Sequence, residues 1–201
     1  MNTQKKARLV VLISGQGSNL QAILDACENQ KLPAEVVAVI SNKAEAYGLE
    51  RARNYNVPIQ IKTQKTTQTR EDYDKELADL IISYQPDWII LAGWMRLLSV
   101  VFLHRFHHKV INLHPALPGA FPGINAIERA FTAYQQGKIQ HTGVMVHLVP
   151  DEGIDSGPVL NQQIVPIYPD DTLTTLTERV HRVEHELLIA TLQSLSNRLF
   201  E

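Results

Sequence analysis

The chain has 201 residues, enough for one domain or a tight pair at the usual ~100–200 residues per domain. With 44% hydrophobic and 20% charged residues it is too apolar for a disordered chain. A formal net charge of −2 gives no global reason to expect a nucleic-acid or membrane-surface partner, although a local anion site stays open. The one cysteine, Cys27, cannot close an internal disulfide, so a reducing, cytoplasmic setting is expected. No apolar run approaches the ~20 residues of a spanning helix, and the start at Lys5-Lys6 lacks the apolar stretch of a signal peptide.

After a lead-in of residues 1–7, expected to be flexible, Leu9-Val10-Val11-Leu12-Ile13 reads as a fully apolar strand. It ends at the glycine turn Ser14-Gly15-Gln16-Gly17-Ser18-Asn19, and a helix follows with Leu20, Ile23, Leu24 and Cys27 on one face. Next come the strand Val36–Ile40, an amphipathic segment near 45–55, a short strand at Ile59-Gln60-Ile61 and a helix near 70–84. Trp88-Ile89-Ile90-Leu91, a helix near 99–107 and Lys109-Val110-Ile111-Asn112-Leu113 continue the alternation. Continuous apolar strands separated by helices predict a parallel sheet covered on both faces. After residue 140 the runs 142–149 and 158–167 are joined by Pro150–Gly157 with no helix between, which predicts an antiparallel pair added to that sheet. A long helix starting near Asp170-Asp171-Thr172 closes the chain, with Leu173, Leu176, Val180, Val183 and Leu187 on its packed face. A single α/β domain is the economical reading.

Five clusters could carry chemistry. Gly15-Gln16-Gly17-Ser18-Asn19 opens a helix, where backbone N–H groups bind anions and glycines admit a phosphate. Leu20 stands where a dinucleotide fingerprint needs its third glycine, and Ser41-Asn42 stand where it needs an acid, so a monophosphate fits better. A tight turn with a serine cap explains the spacing equally well. Asn112 and His114 lie two apart on a strand and therefore share a face at its carboxyl end, where open parallel sheets hold ligands. The amide can donate to an oxyanion and the imidazole can move a proton; a histidine merely satisfied at a strand end is the alternative. The acidic loop carrying Asp151, Glu152 and Asp155 reads as a solvated turn unless a carboxylate reaches His114. His181-Arg182-Val183-Glu184-His185 spells H-x-x-E-H, but a catalytic zinc needs a third protein ligand and little chain remains to supply one. A polar stripe, with Glu184 turned toward a cationic substrate group, is preferred to a metal site. His104–Lys109 reads as cations complementing the end of a helix.

In chain order, Ile13–Leu20, Ala92-Gly93-Trp94-Met95-Arg96-Leu97-Leu98, Ile111–Ala116, Phe121-Pro122-Gly123, Thr142-Gly143, Val146-His147 and Asp155-Ser156-Gly157-Pro158 resemble the phosphoribosylglycinamide formyltransferases, a folate-dependent formyltransferase family. The resemblance runs over roughly residues 8 to 190. Gln16, Leu117-Pro118-Gly119 and a longer loop into Asp155 depart from the family pattern. The resemblance implies the formyltransferase fold, with a nucleotide-binding-like half over 8–113 and a catalytic-loop and folate-site half over 114–201. It implies Asn112, His114 and Asp155 as the catalytic set, with Asn112 and His114 facing the oxyanion and Asp155 holding His114 charged or placing a water. Gly17, Ser18, Asn19 and Glu184 would bind the ribonucleotide. Arg70, Met95, Arg96, Leu97, Leu98 and Asn112 would bind the donor, 10-formyltetrahydrofolate. Expected partners are these small molecules alone, with no metal, nucleic acid or membrane. A formyltetrahydrofolate hydrolase would be expected to carry an extra N-terminal domain, and a methionyl-tRNA formyltransferase an extra C-terminal one. A silent nucleotide-binding module is the alternative outside enzymes.

Overall fold

The computed structural model describes residues 5–199. Residues 1–4 of the expected flexible lead-in lie outside the described residues, and Ala7 already opens the first strand with its side chain buried. The elements are β1 (Ala7–Ile13), α1 (Ser18–Glu28), β2 (Ala34–Ser41), α2 (Gly48–Asn54), β3 (Ile59–Ile61), α3 (Arg70–Ile82) and β4 (Trp88–Leu91). They continue with α4 (Val100–Leu103) and a 3-10 turn at His104–Phe106, then β5 (Val110–His114), α5 (Ala126–Gln135), β6 (His141–Leu148), β7 (Val159–Pro166) and α6 (Leu173–Arg198).

One seven-stranded sheet, in the order β3-β2-β1-β4-β5-β6-β7, runs through the chain. Its first five strands are parallel; β6 and β7 are antiparallel, as the missing helix between them predicts. The apolar strands alternate between two cores. Leu9, Val11 and Ile13 pack on the face covered by α1, α5 and α6, whereas Val10 and Leu12 pack with Tyr73, Leu77 and Phe102 on the other. Burial on both faces is why β1 reads as a continuous apolar run.

Two helices differ from expectation. The helix expected near 99–107 is one α-helical turn plus a 3-10 turn. Between β5 and β6 the chain forms α5, a helix not among the expected elements. Its Ala126, Ile127 and Ala130 are buried at helical spacing, but the prolines of the preceding loop and a start at Asn125 in the left-handed region (φ 55°) hide its beginning. The last helix begins as expected. Thr172 and Thr175 form a reciprocal capping box there, and Arg179 grips Asp171 through two 2.6 Å contacts.

Candidate active site

The carboxyl ends of β1, β4 and β5 point to the same edge of the sheet because the strands are parallel, so the loops that leave them converge. A cleft of about 780 Å³ opens there, lined by Met95, Arg96, Leu97 and Leu98 after β4 and by Asn112 and His114 of β5. The 150–157 loop supplies Asp151, Glu152, Ile154 and Asp155 to its wall.

Asn112 and His114 share one face of β5, and the antiparallel partner β6 places His147 directly opposite Asn112. Asp155 reaches this pair across the sheet edge. Its Oδ2 lies 3.2 Å from His114 Nδ1 and accepts the Gly123 N–H at 2.8 Å. Its Oδ1 accepts from Asn112 Nδ2 at 3.0 Å and lies 3.6 Å from His147 Nε2. The backbone holds Asp155 at φ 50°, a left-handed conformation that aspartate tolerates better than most side chains. Burial alone would raise the Asp155 carboxyl. The hydrogen bond from the Gly123 N–H, with the neighbouring His114, outweighs it and holds the group below its usual range.

Two details refine the expected chemistry. Burial is the largest influence on His114 and pushes its pKa below the ordinary histidine value. Asp155 and the Phe121 carbonyl, 3.1 Å from Nε2, oppose part of that fall. Asp155 therefore favours the imidazolium without leaving His114 a permanently charged group. Both amide hydrogens of Asn112 are engaged, one with Asp155 and one with His147 Nε2 at 3.1 Å. His147 directs Nδ1 at the Leu148 carbonyl at 2.8 Å, so the neutral ring donates from Nδ1 and accepts from Asn112 at Nε2. Only 1% of His147 is exposed. The sequence pattern assigns this histidine no role; its place opposite Asn112 follows from the strand register.

The expected donor segment lies along the cleft, with Met95 66% exposed and Leu98 buried. Arg96 stacks over Tyr73 at 4.4 Å and donates to Gln64 Oε1 at 2.7 Å. Asp74, wholly buried on α3, accepts the Ser99 N–H at 2.5 Å and anchors the far end of the segment. The near end is held by Ser14 Oγ, which accepts the Met95 N–H at 2.8 Å. Arg70 stands beside the cleft and bonds Glu152 Oε2 at 2.7 Å; Glu152 Oε1 also accepts the Val100 N–H at 2.8 Å.

The expected ribonucleotide residues form a second group along the same sheet edge. Gly17 caps α1 at φ 72°, and the first N–H groups of α1, from Ser18, Asn19 and Leu20, have no intrahelical partner. A Cβ on Gly17 would lie 2.7 Å from Gly48 Cα, so the loop packs against α2 as only glycine allows. Arg51 of α2 secures it by donating to the Gln16 carbonyl at 2.8 Å. Glu184 comes from α6 to meet Asn19. It is 6% exposed, and burial raises its pKa to about 8 against the Asn19 amide beside it. Asn19 Oδ1 is buried with no hydrogen-bond partner, an acceptor open to a ligand donor. Among the described residues no three His, Cys, Asp or Glu side chains are grouped to hold a metal ion, the H-x-x-E-H stretch included.

Residues 7–192 match the formyl transferase family. The chain is 47% identical to phosphoribosylglycinamide formyltransferase of Schizosaccharomyces pombe, with 94% of this chain and 97% of that one covered. It is 44% identical to the enzyme of that name in Dictyostelium discoideum, covering 94% and 98%. Among solved structures, glycinamide ribonucleotide transformylase 1 of Symbiobacterium toebii superposes with a TM-score of 0.89 at 37% identity, covering 96% of this chain and 89% of that one.

Proposed function

Because the chain belongs to the formyl transferase family, we propose that Asn112, His114 and Asp155 carry the reaction its relatives perform. The chain transfers the formyl group of 10-formyltetrahydrofolate to the amine of phosphoribosylglycinamide, yielding formylglycinamide ribonucleotide and tetrahydrofolate in de novo purine biosynthesis. The observation that carries the assignment of roles is the 3.2 Å contact between His114 and Asp155 in the wall of a cleft of about 780 Å³. That volume falls in the ~300–1,000 Å³ range of small-molecule sites.

The amine attacks the formyl carbon, the carbonyl pair moves onto oxygen, and a tetrahedral oxyanion forms. His114, with Nδ1–H directed at Asp155, presents its other N–H to that oxygen. Phe121 now shares this hydrogen. Asn112 supplies the second donor by releasing the hydrogen that now meets Asp155. A donor aimed at a developing oxyanion lowers the barrier by ~3–4 kcal/mol. The amine proton passes to folate N10, relayed by a water at the Asp155 carboxylate, and the C–N10 bond breaks. Holding both substrates on one sheet edge supplies the entropic share of the acceleration.

Met95, Leu97 and Leu98 offer the donor an apolar wall, and Arg96 and Arg70 offer charge to its acidic tail. The α1 N-terminus with Ser18 and Asn19 takes the ribonucleotide phosphate, and Glu184 faces its glycinamide end. Among the described residues no helix is long and apolar enough to cross a membrane. Mixing the protein with donor and acceptor, separately and together, tests the reading. Tetrahydrofolate should appear only with both present. Release from donor alone would favour a hydrolase, and no release at all a silent binding module.

A further inference from the structure

The stretch Phe121–Gly123 touches both members of the central pair through its backbone. The Phe121 carbonyl meets His114 Nε2 at 3.1 Å, and the Gly123 N–H meets Asp155 Oδ2 at 2.8 Å. This strap is not relaxed: Phe121 sits at φ 48°, left-handed for an aromatic side chain. Arg129, exposed on α5, donates from Nη2 to the Phe121 and Pro122 carbonyls, each at 2.6 Å, and its guanidinium lies 5.9 Å from the Phe121 ring.

We infer that Arg129 is a positioning residue for formyl transfer, clamping the Phe121–Gly123 strap and keeping the Phe121 carbonyl bonded when His114 turns its N–H to the substrate. The inference rests on the proposed role of His114. A carbonyl has two lone pairs, and Arg129 fills one with a charged donor. Without it, His114 would be the side-chain donor left on that oxygen, and its release would leave a half-buried acceptor unpaired. The same guanidinium opposes protonation of His114, alongside His147 of β6, while Asp155 of the 150–157 loop favours it. Arg129 thus makes the histidine both freer to move and less charged.

The clamp and the charge can be separated in the full chain. Arg129→Ala removes both; Arg129→Lys keeps the charge but replaces the fork with a single ammonium. The Ala variant should lose about tenfold in kcat, the scale of one hydrogen bond, with both KM values nearly unchanged. NMR titration should show its His114 ring taking a proton at higher pH than in the wild type. The Lys variant should titrate at His114 like the wild type yet stay below it in kcat. Unchanged kcat in the Ala variant, full recovery in the Lys variant, or a loss confined to KM would overturn the inference. His114→Ala is measured alongside. Normal turnover there sinks the catalytic reading itself, while an unmoved His114 titration in the Ala variant sinks the link to Arg129.

Discussion

At the scale of single residues, the site depends on acceptors and donors that share partners. Asp155 serves His114 and Gly123 with one oxygen and Asn112 with the other, so the protonation of His114 and that of Asp155 are linked. His114→Ala should lower kcat by about 10²–10⁴-fold in steady-state assays, the usual contribution of a placed acid–base group, while ribonucleotide binding survives. Asn19→Ala should raise the KM for the ribonucleotide by roughly ten- to a hundredfold, since a hydrogen bond to a charged group contributes ~1.5–3 kcal/mol, and should leave the donor KM nearly untouched. Asn112 and His114 were legible in the sequence because residues two apart on a strand share a face. Arg129, Glu152 and Asp74 were not. They act on backbone groups distant in the chain, Glu152 also on Arg70, and such contacts leave no spacing to read.

At the scale of elements, the parallel strands place the loops and the loops place the chemistry. The strand alternation, the antiparallel pair and the start of α6 follow from apolar periodicity and capping residues. The missed α5 matters more than its ten residues suggest, because it carries Arg129 beneath the strap. The turn between β1 and α1 is shaped by α2. A Cβ on Gly48 would lie 2.6 Å from Ile13 Cδ1 and 3.3 Å from Gly17 Cα. Gly48→Ala should therefore displace the phosphate loop, raising the ribonucleotide KM more than the donor KM in parallel titrations of the two substrates.

At the scale of the whole molecule, two apolar cores clamp the sheet, and Glu184 is buried with the His181 ring 3.8 Å from its carboxyl. Glu184 has a folded-state pKa of about 8, above its unfolded value, so it contributes stability at low pH that is lost as pH rises through about 8. In thermal melts without ligand from about pH 6 to about pH 9, the wild type should lose more Tm than Glu184→Gln, because glutamine keeps the buried shape with no charge to expose. Leu12→Ala, at a wholly buried position of β1, should cost about 2–5 kcal/mol in denaturant titrations and leave the site chemistry unaltered in the fraction that stays folded.

The pairing of Asp155 with His114 joins these scales, since the 150–157 loop must cross the sheet edge to make it. Asp155→Asn tests it most directly: asparagine accepts the same left-handed backbone and keeps the shape while removing the charge. Turnover measured beside an NMR titration of the His114 ring should show kcat falling by about 10²-fold or more, with both KM values kept and the His114 pKa lowered further. Near-normal turnover, or an unmoved His114 pKa, would contradict the account.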